Sequence, residues 1–269
     1  MLLTLLTPLG AKAQPEQGSE LNLGLAVLNF GYQEFDDTGK LFDREDGYIP
    51  GFALGLSHTS ERWLFAGDFA YHVGEVSYTG NTQSGTPIRS RTAQIISDIS
   101  LRGEYWLESR TGLSYAVYLG AGYRQWERNI LPTSTGSGSP VSGLYEFYDW
   151  WTVFAGTKAA IYQSSSVEWL LDVRLLHTVS PAIKVYFNGQ YDNASLALGE
   201  RLGARVSFPW RYSLNQSSRL SVEPYAESYE FGRSATAPVT RNGAKAGTIF
   251  EPLSQTINYG LVLGISQHF

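Results

Sequence analysis

The residues able to do chemistry in this chain keep to one parity. Asp68 and His72 share a face of one alternating stretch, and Asp98, Arg102 and Glu104 share a face of the next. Arg124, Lys158, Glu168, Asp172, Arg174, Arg201, Arg205, Glu223 and Glu227 continue the series. Seven acids thus stand against six bases and one histidine. Near balance on one face predicts a mutually paired network, because an ion path shows one dominant sign of charge. Catalysis is the other chemistry on offer. His72, near Glu75 and read as lying in the outer half of its stretch, is the histidine placed to act as a general base. Asp68 is four residues away, ~13 Å along an extended chain, so an acid partner has to come from a neighbouring stretch. The other histidines, His58, His177 and His268, are scattered and Cys is absent, so no zinc-ligand spacing occurs and no cofactor is expected.

A parity has meaning only on strands, and the chain is written to form them. It ends INYGLVLGISQHF, where Ile257, Tyr259, Leu261, Leu263, Ile265 and Phe269 share one face, and small or polar residues with Val262 share the other. A period of two marks a strand whose faces meet different surroundings. Ten such stretches occur, at 20–34, 48–58, 61–79, 88–107, 111–129, 144–162, 165–187, 193–208, 218–233 and 255–269. Nearly all reach or pass the ~9–11 residues of a tilted membrane-crossing strand. Over 111–129, Leu113, Tyr115, Val117, Leu119 and Tyr123 oppose Ser114, Ala116, Gly120 and Gly122. Bulky residues outside and small or charged ones inside suit lipid, whereas a soluble barrel reverses the two. Arg or Lys on the lipid face near the midplane costs ~2–4 kcal/mol, which accounts for charges keeping to one side. Glu200 falls on the outward parity and the first stretch changes phase near Val27-Leu28, so a bulge is expected at each.

Composition agrees with this reading. Charged residues make up 17% of the 269, below the ~25% of soluble domains, and aromatics reach 14%. The net charge of −5 argues against a nucleic-acid partner. Nowhere is there an apolar run near the ~18 residues of a spanning helix, and a membrane protein without one must close its sheet. Residues 1–13 (MLLTLLTPLGAKA) read as a signal peptide lacking its basic start, which leaves 14–269 as one barrel domain. Short links at 58–61, 108–110, 163–165 and 209–218 alternate with longer ones at 34–47, 80–87, 131–143 and 234–254, with 188–193 the short exception. Short periplasmic turns, long outer loops and both termini inside are the bacterial barrel plan.

On these features the chain resembles the bacterial outer-membrane β-barrel proteins, whose final strand ends on a Phe read by the barrel-assembly machinery. Gly264 and Phe269 occupy the glycine and terminal aromatic positions of that signal, while Val262 and Gln267 depart from it. The resemblance implies an all-β fold, a closed antiparallel up-and-down transmembrane β-barrel of ten strands, monomeric and exported through the periplasm. Outer-membrane lipid and lipopolysaccharide are the implied partners, with an extracellular ligand a further one. An inner aromatic girdle is expected from Trp63, Tyr105, Trp106, Trp169, Phe208 and Phe269, and an outer one from Tyr78, Trp126, Phe147 and Tyr148. Arg89, Arg91, Arg128, Lys184 and Arg233 are expected at the height of lipopolysaccharide phosphates. The ten-stranded omptin proteases carry an Asp-x-His pair with no counterpart here. The His-x-Ser-Asn motif of lipid A deacylases is not matched at His58-Thr59-Ser60. A ten-stranded lumen is scarcely wider than an eight-stranded one, which side chains just fill. The expectation is therefore a largely plugged, non-enzymatic surface, structural or adhesion protein acting through its outer loops. A narrow pore past Arg102, Arg174, Arg201 and Arg205 is the first alternative, and a hydrolase centred on His72 the second.

Overall fold

The computed structural model describes residues 16–82, 85–108 and 114–269, so the expected signal segment and residues 109–110 of one short link lie outside it. Every regular element among the described residues is a strand. The first eight are β1 (Gly18–Phe35), β2 (Leu41–Ser60), β3 (Trp63–Asn81), β4 (Pro87–Glu108), β5 (Ser114–Ile130), β6 (Thr133–Ser134), β7 (Pro140–Val141) and β8 (Leu144–Gln163). The rest are β9 (Val167–Tyr186), β10 (Ala194–Ala197), β11 (Leu202–Ser207), β12 (Trp210–Ser213), β13 (Ser218–Phe231), β14 (Ala237–Arg241), β15 (Ala244–Ile249) and β16 (Leu253–His268). Nine long strands and the broken tenth, made of β10, β11 and β12, pair antiparallel in chain order, and β16 pairs with β1. The sheet is a closed ten-stranded up-and-down barrel. Closure matters because lipid offers no partner to a free strand edge. The remaining strands form two small hairpins, β6–β7 and β14–β15, in the links at the outer end.

The strands run well past the membrane. A strand of 20 residues such as β2, at ~3.3 Å per residue and tilted ~40°, rises ~50 Å, about twice the ~25 Å lipid belt. The surface divides accordingly. Leu25 on β1, Leu54 on β2, Leu101 on β4, Leu119 on β5 and Leu175 on β9 are exposed apolar side chains of the belt. Towards the outer end the outward parity turns polar, with Arg44, Asp46, Glu75, Arg91 and Glu127. This explains why 34–47 reads as a loop although only a turn at 36–40 separates β1 from β2. Above the membrane both faces of DREDG are polar, so the period of two vanishes from hydropathy while the pairing persists from Gln33↔Arg44 to Tyr32↔Glu45.

The expected bulge near Val27-Leu28 does not exist. β1 pairs with β16 without a shift from Glu20↔His268 to Phe35↔Leu253. Leu28 is buried and faces inward like Phe30 and Tyr32. The apparent change of phase is a change of lumen lining, from small and polar below to large and apolar above. The irregularity at Glu200 is present. The tenth strand breaks at 198–201, where Gly199 bridges to Gly232 and Leu198 and Arg201 still bond to Pro181 and Thr178 of β9, and Ser180 opposite takes a left-handed φ of 49°. The Glu200 carboxylate accepts the Ser180 backbone N–H at 2.9 Å and lies 3.3 Å from the His177 ring. Both Asn-Gly pairs, Asn188-Gly189 and Asn242-Gly243, take positive φ at both residues, the geometry of two-residue turns that match strand twist.

The aromatic girdle is partly redrawn. Trp63, Trp169, Trp210, Tyr212 and Phe269 are exposed near the inner end, and Tyr105 and Phe208 lie partly exposed beside them. Trp106, Tyr78, Trp126 and Tyr148 instead point inward and are buried. The inward parity was open to large rings because the lumen of the outer half is packed solid.

Candidate functional site

The lumen holds cavities in its lower half and packed side chains in its upper half. The lower half contains a cavity of about 340 Å³ at the periplasmic end, lined by Glu20, Glu168, Arg211, Arg219 and His268 among others. It shares Asp68, Arg102, Lys158 and Glu223 with a second chamber of about 200 Å³ higher up. Above that, Trp126 stacks on Tyr148 with ring centres 4.5 Å apart, and Tyr32 meets Trp126 edge-on at 5.1 Å. Trp150 contacts Phe231 at 4.8 Å and Tyr229 at 5.6 Å. Leu28, Phe30, Ile49, Ile96, Ile183 and Leu196 complete this buried layer, which spans the barrel from β1 round to β13.

Charged residues of the lower lumen are paired strand to strand. Arg102 donates to Asp68 and, at 2.7 Å, to Glu104, which also accepts from Lys158 Nζ at 2.7 Å. Lys158 lies 3.9 Å from Asp172, whose carboxylate accepts the Tyr118 hydroxyl at 2.5 Å. Arg124 joins Asp98 at 2.6 Å and Glu227 at 2.8 Å, with its guanidinium over the Tyr229 and Trp150 rings. Arg205 lies 3.3 Å from Glu223 and 3.8 Å from Glu227. Glu168 pairs with Arg211 at 3.1 Å, a base the sequence reading did not single out. Removing one partner of such a buried pair costs several kcal/mol, so the network locks the register of the strands that carry it. Two expected members stand apart. Arg201 is exposed at the break in the tenth strand, and Arg174 faces the chamber and forms no ion pair among the described residues.

His72 is not at the outer mouth. It is the tenth residue of the 19 in β3, is buried beneath the aromatic layer, and its Nε2 has no hydrogen-bond partner. Gly264 faces the lumen against Ser221 and Asn22, and Phe269 exchanges two 2.9 Å backbone hydrogen bonds with Ser19 at the seam. Among the residues expected to meet lipopolysaccharide, Arg89, Arg91, Lys184 and Arg233 are exposed. Arg91 pairs with Glu75 at 2.5 Å and Arg233 with Asp37 at 2.9 Å. Arg128 is a correction: it is fully buried and cannot reach a lipid headgroup.

Arg128 instead anchors a cluster that sequence reasoning missed. Its guanidinium lies 2.9 Å from Glu34, 2.9 Å from Glu45, 2.7 Å from Glu146 and 3.9 Å from Asp43, all buried. Glu251, in the stretch between β15 and β16, accepts from the Tyr148 hydroxyl at 2.8 Å and from Tyr32 at 3.2 Å. Burial, with Glu34 and Glu146 beside it, pushes the Glu251 carboxyl well above the usual carboxylate range. Five acids thus share one base above the aromatic layer. The legible signal was parity: Phe30, Tyr32 and Glu34 continue one face, and Asp43, Glu45, Gly47 and Ile49 another. The hairpin β14–β15 is tied down beside this cluster. Asp192 accepts the Thr240 hydroxyl at 2.6 Å and the Gly243 N–H at 2.9 Å, which hold its carboxyl below the usual range.

No protein-family profile and no curated protein matches this sequence. Solved structures do. The outer membrane protease OmpT from Escherichia coli superposes with a TM-score of 0.62 over 94% of this chain and 97% of that one, at 10% identity. That similarity is one of fold, and the apolar belt is the surface such a fold turns to lipid. The chain has the fold of an outer-membrane β-barrel. The barrel also matches the transport unit of the autotransporter AIDA-I from Escherichia coli (TM-score 0.47, 9% identity, 96% and 92% of the two chains). It further matches the toluene transporter TodX from P. putida (TM-score 0.40, 10% identity, 95% and 91%). Both likenesses are too loose to argue from.

Proposed function

We propose that this outer-membrane barrel is a non-conducting surface protein that works through its outer rim. The observation that carries the reading is the sealed upper lumen, where the layer of Phe30, Tyr32, Trp126, Tyr148, Trp150 and Phe231 sits beneath the Arg128 cluster. A pore needs a continuous polar path, and side chains fill the cross-section at this level. Surface work also needs something to present. Leu41, Phe42, Tyr191 and Phe250 are exposed apolar side chains near the outer ends of strands, with Arg233 stacked 4.0 Å over the Phe250 ring. Aromatic and Arg side chains of this kind dominate protein-binding surfaces. His72, under the seal, has no route to a substrate arriving from outside.

The test uses cells producing the full chain and cells producing a version with residues 237–249 replaced by a short turn. Surface attachment or cell–cell association should depend on the intact rim, while uptake of small solutes matches cells without the protein in both cases. Solute uptake that rises with the wild-type barrel, or attachment indifferent to the rim, would overturn the reading.

A further inference from the structure

Arg102, Lys158, Arg205 and Arg211 line the 200 Å³ chamber, and each has a carboxylate within 3.3 Å, Glu104 serving both Arg102 and Lys158. Arg174 lines it too and forms no ion pair among the described residues. Its Nε reaches the Tyr118 hydroxyl at 3.4 Å, and that hydroxyl in turn donates to Asp172, so Tyr118 stands between the base and this acid. The Arg174 guanidinium carbon lies 4.3 Å from the centre of the Phe154 ring, which backs one face of the planar group. A guanidinium held flat in this way offers its edge for two parallel hydrogen bonds to a carboxylate.

Three further observations point the same way. In the sheet register Arg174 stands directly opposite Arg205, a like-charge pair whose second member is engaged by Glu223 and Glu227. His72 also lines the chamber, nine-tenths buried, with Nε2 lacking any partner, and buried polar atoms without one are rare in native structures. The chamber adjoins the larger cavity at the periplasmic end, with which it shares Asp68, Arg102 and Lys158. Its volume equals that of about six or seven liquid waters.

We propose that this chamber is a binding site for a small organic monocarboxylate of about six heavy atoms, entering from the periplasm. Arg174 takes the carboxylate and the His72 Nε2 offers a second hydrogen bond. The proposal does not depend on the surface role, and either can fail while the other stands.

The experiment titrates carboxyl-13C butyrate into the refolded full-length barrel in detergent micelles and follows carbonyl line broadening by NMR. Saturable broadening is expected with the wild type. It should weaken at least tenfold in Arg174→Gln and be unchanged in Arg201→Gln, which removes an exposed base outside the chamber. Butylamine, of similar size and opposite charge, should not compete. If Arg174→Gln fails to fold by its heat-modifiable mobility, Ser221→Leu fills the same chamber without altering charge and should abolish binding. No saturable binding to the folded wild type, or binding indifferent to both folded variants, would overturn the proposal.

Discussion

Arg128→Met removes the one base from five buried carboxylates while keeping an apolar stem of similar length. The Arg128 side chain is 2% exposed, and its three nearest acids lie 2.7–2.9 Å away. Without it the cluster must hold one more proton to keep the same net charge. Placing a proton on a carboxyl with an ordinary pKa of about 4.3 costs about 3.7 kcal/mol at pH 7, and about 1 kcal/mol at pH 5. The first figure falls within the ~3–5 kcal/mol known for breaking a buried ion pair. The variant binds a proton in the folded state that the unfolded chain releases, so its stability rises as pH falls. Urea unfolding of the refolded barrel, followed by Trp126 and Trp150 fluorescence, should therefore show a deficit of about 4 kcal/mol at pH 7 that shrinks to about 1 at pH 5. A deficit below about 1 kcal/mol at pH 7, or one that does not change with pH, would refute the reasoning.

Other outcomes follow from the same geometry. Leu119→Arg puts a charge in the middle of the lipid belt, where Leu119 is exposed, and should cost ~2–4 kcal/mol in urea titrations in lipid. Gly156→Val places a branched side chain where the Tyr118 ring now lies and should cost ~1–3 kcal/mol by the same assay. Asp192 contributes to the β14–β15 clamp above the ordinary carboxylate pKa and loses that contribution as pH falls through its lowered value. Protection factors for amide exchange over 237–249 should fall at low pH in the wild type and be reduced at all pH values in Asp192→Asn. Glu251 has the opposite sign: its raised pKa gives stability that is complete at low pH and lost as pH rises above the ordinary carboxylate range. Glu251→Gln should remove that slope from urea midpoints measured against pH.

How much of this was legible in the sequence depended on where each strand meets lipid. Inside the belt an apolar outer face contrasts with a small or charged inner one, so the strands of Leu119, Leu175 and Leu263 could be read directly. Above the belt that contrast fails in two ways. Outward residues become polar, which hid the β1–β2 pairing around Asp43 and Glu45 in an apparent loop. Inward residues become large and apolar, which made Leu28 look like a phase error and put Trp126 and Tyr148 in a girdle. Arg128 shows the limit most plainly. Its parity matched Arg124, yet height alone suggested a lipid headgroup, and only the packing of Glu34, Glu146 and Glu251 from distant parts of the chain reveals its place. Local alternation specifies strands, whereas a site assembled from four strands and a loop depends on register.

The central claim is that the upper lumen is closed, and single-channel conductance in a planar bilayer tests it most directly. The refolded wild type should stay silent under an applied voltage. A Trp126→Ala, Tyr148→Ala double variant, which removes both rings of the 4.5 Å stack, should show discrete steps through the opened layer. Reproducible steps from the folded wild type would contradict the account and make the lumen a conduit.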